Sequence, residues 1–386
     1  MTIRIAAVGD PHITEGRRAD EVSACLNFVV EDAIAQGAQL FLVAGDIAGT
    51  AVPHRASIWE RNTFTALVLR MAEAAPVCVI TGNHCSPGDW QYLNSLAGRH
   101  PIFLREDPDV IELDGVAVFM FPFPHKRKWL AELDHVALEG QDLAVAGRLR
   151  ELFGEWARKS AAYRAAGVAT TMLAHLAIEN ALVAGGEIMP PGTEITASLG
   201  DLDGLGIDMI FDGHIHCRQE VRPNAWIIGT ASRSAFNEID EKGYLLADIA
   251  PGQPPLVHPR LTPARKFVTI DVEWAQGEGG QWSWSQDAAP VVTDAEVRIR
   301  VTIPEDQAAI APTDDLVAIA TQAGAHAVKL ERRARPKQEL RCEAITRAQT
   351  EEEMLAAYWE TAGGPDAAQQ ARVIAKLTTL RTEVFV

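Results

Sequence analysis

The sequence predicts an α/β protein whose sheets are covered by helices, and three observations predict it. Several short segments are apolar along their whole length instead of alternating, as strands buried on both faces are. Stretches with apolar residues at helical spacing separate them. Most of these apolar runs end in glycine followed by Asp, Asn or His, as expected where an α/β scaffold mounts reactive groups on loops at strand ends.

The elements follow in order. Residues 3–8 read as a strand ending in Gly9-Asp10-Pro11-His12. Residues 20–36 carry Val22, Leu26, Val29, Val30, Ala33 and Ile34 on one helical face, with Gly37 as the stop. Residues 40–44 form a second strand ending in Gly45-Asp46. A helix over 57–75 leads to a strand at 77–81 that ends in Gly82-Asn83-His84. Residues 116–121 read as a strand running into Pro122-Phe123-Pro124-His125-Lys126-Arg127-Lys128, and 148–166 as a basic helix. A strand at 170–174 ends at His175. The strand at 207–211 stops at Asp212-Gly213 and presents His214 and His216, and two more strands follow at 226–229 and 244–249.

Near Pro263 the pattern changes. Residues 266–274 are strand-like, 276–281 are a Gly-rich turn, and 297–303, 314–323 and 326–331 read as strand, helix, strand. Two polar helices, 351–362 and 366–382, are separated by Gly363-Gly364-Pro365. The expected organisation is a main domain over 1–262, a small α/β capping domain over 263–345 and a helical tail over 346–386. No internal repeat or low-complexity tract is visible.

Composition bounds the function. A chain of 386 residues, 47% hydrophobic and 23% charged, is that of a soluble globular protein with more than one core. No apolar run is long enough to span a bilayer and the first residues lack a signal-peptide layout, so the expected location is cytoplasmic, with no membrane partner. The five cysteines (25, 78, 85, 217, 342) are odd in number and lack CxxC spacing, which argues against a disulfide framework or a thiolate zinc site. A net charge of −17 excludes a uniformly basic surface coating DNA.

Five segments each place a candidate metal ligand at a strand end: Asp10 with His12, Asp46, Asn83 with His84, His175, and His214 with His216. Gly9, Gly45, Gly82 and Gly213 precede four of them. Each pair alone is ordinary turn chemistry; the ordered set is not. Residues at i and i+2 on extended backbone point the same way, so His214 and His216 are placed to face one site. Carboxylate and amide oxygen mixed with imidazole, without thiolate, suits Mn, Fe or Zn in a binuclear site. Asp46, alone in its segment, is the candidate bridge. Two cations about 3.5–4 Å apart can clamp a phosphoryl group and activate water for phosphoester hydrolysis.

These motifs resemble the calcineurin-like metallophosphoesterase signature. Within that family the chain is similar to the SbcD-type nucleases, through Asn83-His84-Cys85-Ser86-Pro87, Gly229-Thr230, Ser234-Ala235-Phe236, Glu238 and Lys242-Gly243-Tyr244. The resemblance covers motifs in the first ~250 residues and only the order of elements beyond Pro263. It implies a two-sheet β-sandwich flanked by helices. It also implies two divalent ions, Mn²⁺ by family pattern, one held by Asp10, His12 and His216 and the other by Asn83, His175 and His214, with Asp46 bridging. His84 would act on the phosphate or the leaving group. The family departs here at Cys85, where an acid is usual, and at Gly49, where some relatives carry a functional histidine or acid; His54 is close enough in sequence to be considered for that role.

The resemblance further implies an exo- or endonuclease of DNA repair and recombination, a homodimer, working with an SbcC-type ATPase. Among the basic clusters, Lys126, Arg127 and Lys128 are the best candidates for contacting DNA, because they follow a strand and a Pro-Phe-Pro loop; the others read as solvated faces. Met354, Leu355, Tyr358 and Trp359, continued by Val373, Leu377, Leu380 and Val384, form an apolar stripe on the tail. It can dock on the main domain or on the partner's coiled coil. Two further readings stay open: a stand-alone phosphodiesterase of small phosphoesters or cyclic nucleotides, and a non-catalytic binding module.

Overall fold

The structure is a computed structural model and describes all residues except 17, 50–51, 97, 132–139, 184–193, 276–280, 285–290, 306–310, 336–347, 349 and 385–386. The expected Gly-rich turn, apart from Gln281, and Cys342 lie outside the described residues.

The apolar runs form strands β1 (Ile3–Gly9), β2 (Leu40–Ala44), β3 (Val77–Ile80), β4 (Ile102–Arg105), β5 (Asp109–Leu113), β6 (Val116–Phe121) and β7 (Ala169–Ala174). The short pair β8 (Ala177–Ile178) and β9 (Thr196–Ala197) follows. Then come β10 (Met209–Asp212), β11 (Gln219–Arg222), β12 (Ala225–Ile227), β13 (Gly243–Ile249) and β14 (Leu256–Leu261). Helices are α1 (Ala19–Ala35), α2 (Ile58–Ala74), α3 (Lys126–Ala131), α4 (Gln141–Ala165) and α5 (Leu199–Gly204).

Two six-stranded sheets result, ordered β14-β13-β1-β2-β3-β4 and β11-β12-β10-β7-β6-β5. In the first, β1 to β4 are parallel; in the second, β6, β7, β10 and β12 are parallel. Side-chain alternation decides the layers. Ile5, Ala7, Leu40, Leu42, Cys78 and Ile80 pack between the sheets against Val118, Met120, Leu173, Met209 and Phe211. The alternate residues, such as Val8, Phe41, Val43 and Val79, face α1 and α2, while Phe119, Phe121 and Met172 face α4. This is the two-sheet sandwich flanked by helices, and it requires strands apolar on both faces. Helix α2 starts at a capping box in which Ser57 accepts from Glu60 N and Glu60 Oε2 accepts from Ser57 N at 2.8 Å.

The structure differs from the sequence reading at several points. Strands β4, β5, β11 and β14 were not legible, being short or half polar at sheet edges. Helix α4 begins at Gln141 rather than near Arg148. Lys126 to Lys128 open a helix, α3, instead of continuing a loop.

Beyond Thr262, β15 (Phe267–Ala275), β16 (Gln281–Trp284), β17 (Glu296–Pro304) and β18 (Ala327–Arg335) form a sheet of order β16-β15-β17-β18, with α6 (Thr313–Gln322) between the last two in sequence. The tail contains α7 (Glu351–Ala362) and α8 (Ala367–Val384). By compactness the chain divides into two units. One is Met1–Ile270 with Ala288–Ile299 and Asp315–Leu330; the other is Asp271–Asp287, Arg300–Asp314 and Glu331–Val386. The first carries both six-stranded sheets; the second carries β16 and the tail helices. Within the tail, Met354, Tyr358, Val373 and Leu380 are exposed. No helix among the described residues is long and apolar enough to cross a membrane.

Candidate metal centre

Parallel strands bring their C-terminal ends to one edge, and here both sheets contribute. The loop after β1 carries Asp10 and His12, that after β2 Asp46, that after β3 Asn83 and His84, that after β7 His175, and that after β10 His214 and His216. The backbone is strained where these side chains converge. Asp10, His12, Asp46 and His214 have φ of 42°, 43°, 37° and 71°, a region costing a non-glycine residue about 1–3 kcal/mol.

Close approach requires glycine in these loops, as Gly45 and Gly82 show. A Cβ on Gly45 would lie 2.2 Å from His175 Nδ1, and one on Gly82 would lie 2.1 Å from Asp46 Oδ1.

Distances tie the set together. Asp10, His12 and His216 can each bring one donor atom within 4.8 Å of the others, and so can Asp10, Asp46 and His175. Asn83 Oδ1 lies 3.1 Å from His175 Nε2 and 3.3 Å from His214 Nδ1. Asp46 Oδ2 is 3.5 Å from His175 Nε2 and 3.9 Å from His12 Nε2, within reach of a ring from each group. The backbone N–H of His214 donates to Asp10, at 3.0 Å to Oδ1.

Each of four candidate ligand histidines has one ring nitrogen committed to an oxygen acceptor. His12 Nδ1 donates to Gly49 O at 2.6 Å and His175 Nδ1 to Ala44 O at 2.7 Å. His216 Nδ1 donates to Glu238 Oε1 at 2.9 Å, and His214 Nε2 donates to Glu194 Oε2 at 2.7 Å. The opposite nitrogen of each therefore presents a lone pair, the arrangement that orients metal-binding imidazoles. His12 Nε2 and His216 Nε2 face each other at 3.0 Å. Two lone pairs cannot hydrogen-bond one another, whereas a shared cation satisfies both. The donor set fits divalent metal.

Charge follows the same logic. Burial and the charge of Asp46 push the Asp10 carboxyl well above its usual range. Burial works against the charge of Asp46, but His175, His12 and His84 outweigh it and hold that carboxyl low. Burial, with His216 beside it, lowers His12 to about 4, so its ring is neutral and available to a metal at neutral pH. Asp212, just before the Gly-His-x-His segment, is raised by burial to about 8.

His84 sits at the rim, with its Nε2 3.7 Å from Asp46 Oδ2 and its ring edge-on to His12 at 5.1 Å; it belongs to neither donor group. His54 does not reach the cluster through its ring, which packs against Gly49 and meets Glu60 Oε2 through Nε2 at 2.8 Å. Cys85 is buried, and burial pushes its thiol up to about 12. The three basic candidates are not equivalent. Lys126 pairs with Asp142 and Lys128 with Asp107, while Arg127 is exposed. Lys128 also lines a cavity of about 60 Å³ with Thr81, Cys85 and His125, beside the Asn83 loop.

The sequence reading missed three contributors. Glu194 holds His214 and has no local signal. Glu238, visible only as part of a motif, holds His216. Phe123 packs its ring 6.1 Å from His175 and 5.8 Å from His214.

Comparison with known proteins gives the chain its family. Among solved structures it is similar to GAP50, the anchor in the inner membrane complex of Plasmodium, at 10% identity and TM-score 0.40, over 69% of this chain and 90% of that one. It is also similar to a putative 5'-nucleotidase from Staphylococcus aureus, at 12% identity and TM-score 0.41, covering 68% of this chain and 55% of that one. No curated protein matches. Residues 3–218, which contain every strand end described above, match the calcineurin-like phosphoesterase family, and the chain belongs to that family.

Proposed function

We propose that this protein is a metal-dependent phosphodiester hydrolase of the SbcD type, an exo- or endonuclease that uses two Mn²⁺ ions on DNA. In this reading it acts as a cytoplasmic homodimer with an SbcC-type ATPase. Asp10, His12 and His216 would hold one ion and Asn83, His175 and His214 the other, with Asp46 as the shared candidate ligand. When bound, such ions would supply Lewis-acid polarisation of a phosphoryl group and a water of lowered pKa. The protein supplies orientation: carbonyl and carboxylate acceptors fix each ligand ring, Phe123 covers two of them, and His84 at the rim meets the phosphate or the leaving oxygen. The three-part organisation, with main domain 1–262, cap 263–345 and tail 346–386, goes with this reading.

The observation that carries the nuclease reading is the exposed apolar face of α7 and α8, with Met354, Tyr358, Val373 and Leu380. A small-substrate phosphoesterase has no use for such a face, whereas a subunit that docks on a coiled coil does. Against it stand the net charge of −17 and the acids paired with Lys126 and Lys128. Those same observations favour a second reading, a stand-alone phosphodiesterase of small phosphoesters. Incubating the full chain with Mn²⁺ and either linear DNA or a chromogenic phosphodiester separates the two. Cleavage of DNA supports the nuclease; cleavage of the chromogenic ester alone supports the second reading, and cleavage of neither leaves only a binding module.

A further inference from the structure

The two histidines of Gly213-His214-Ile215-His216 are turned by different acids. We propose that Glu194 and Glu238 are positioning residues that fix opposite tautomers on this pair, so that His214 offers Nδ1 and His216 offers Nε2 to separate ions. A carboxylate only accepts, so the ring proton must sit on the nitrogen that faces it. Glu194 Oε2 is 2.7 Å from His214 Nε2, and Glu238 Oε1 is 2.9 Å from His216 Nδ1. The freed nitrogens diverge accordingly. His214 Nδ1 faces Asn83 Oδ1 at 3.3 Å, and His216 Nε2 faces His12 Nε2 at 3.0 Å.

On regular extended backbone two residues apart would point into one place. Here φ of 71° at His214 breaks that regularity, and Ile215 between them is buried. The two acids then decide which edge of each ring meets a metal. Without them, the ring proton can move to the other nitrogen, and rotation about Cβ–Cγ can put a ring carbon where the donor nitrogen stood.

The supports differ in build. Glu238 is 2% exposed, accepts from Ser234 N at 3.1 Å and pairs with Lys242 Nζ at 3.0 Å, and that ammonium also donates to His216 O at 2.9 Å. Glu194 has a third of its side chain exposed and reaches His214 from outside the strand-end loops. The ion held by His214 is thus the one whose affinity depends on a solvent-accessible carboxylate. This rests on the metal-binding reading of the site and not on the choice of substrate.

The test is calorimetric titration of the metal-free full chain with Mn²⁺, beside its melting temperature before metal is added. Glu194→Ala is expected to weaken one of two ions about 10–100-fold. The second ion and the metal-free melting temperature stay unchanged, and Glu194→Gln recovers part of the loss, because its amide oxygen accepts the same N–H. Unchanged binding of both ions, or equal weakening of both, overturns the proposal. Because Glu238→Gln can disturb the buried Lys242, long-range ¹⁵N spectra of the histidine rings in the metal-free wild-type chain provide an independent reading. They are expected to show Nε2–H for His214 and Nδ1–H for His216, and the same tautomer on both overturns the proposal. A wild-type chain that binds no Mn²⁺ sinks the metal reading itself, while the ring spectra still decide the tautomers.

Discussion

Asp46 accepts the backbone N–H of His84 through Oδ1 at 2.9 Å while its Oδ2 lies 3.5 Å from His175 Nε2. One carboxylate therefore anchors the loop that carries His84 and Asn83 and also faces the ring of His175.

Asp46→Ala removes both roles. It is expected to abolish binding of at least one ion and to lower hydrolysis by about 10³-fold or more. Metal content per chain and turnover on a phosphodiester, measured on the same preparation, check this; a variant that keeps both ions contradicts the bridging position.

His84→Ala separates chemistry from metal binding. Its ring stands at the rim, 3.7 Å from Asp46 Oδ2, so metal content should match wild type while kcat falls about 10²–10⁴-fold, the range for a general acid or base. If metal content falls in step with activity, His84 is a ligand.

Gly45→Ala tests the close approach of strand ends. The added methyl meets His175 Nδ1 at 2.2 Å, and the backbone there has φ of 84°. Strain and overpacking together should cost about 2–4 kcal/mol, lowering the melting temperature of a chain this long by roughly 2–5 °C. Gly37→Ala, with a similar φ of 77° and nothing near its Cβ, isolates the backbone cost and should lose less.

Acid stability away from the site follows from Asp32. The Arg260 guanidinium hydrogen-bonded to it, with help from the Tyr244 hydroxyl, holds its carboxyl below the usual 3.8. A folded-state pKa below the unfolded one stabilises at neutral pH, and the contribution is lost as pH falls below 3.8 through the lower folded value. Arg260→Ala should therefore lower the melting temperature at pH ~7, and the deficit should shrink as pH falls through that window. A deficit independent of pH would mean the arginine acts through packing alone.

The tail can be tested without touching catalysis. Serine at Met354, Tyr358, Val373 and Leu380 should leave melting temperature and hydrolysis near wild type, since exposed side chains contribute within about 0.5 kcal/mol each. Binding to an SbcC-type coiled-coil segment, followed by pull-down, should fall sharply. Retained binding would remove these helices from the interface.

What the sequence determined by itself is the scaffold and which strand-end residues it brings together. Strands buried on both faces are written as unbroken apolar runs, and parallel strands place their C-terminal ends on one edge, so a residue just past β1, β2, β3, β7 or β10 is legible as a neighbour of the others. The edge strands β5 and β14 were not legible, because one face meets solvent and their residues alternate weakly. What only the tertiary structure decided is what each side chain meets. Lys126 and Lys128 read as free cations until Asp142 and Asp107 arrived from elsewhere in the chain. Likewise, which nitrogen of His214 or His216 carries the proton depends on Glu194 and Glu238. Periodicity is a local property of the backbone and survives in sequence; a hydrogen-bond partner brought from a distant segment exists only once the chain has folded.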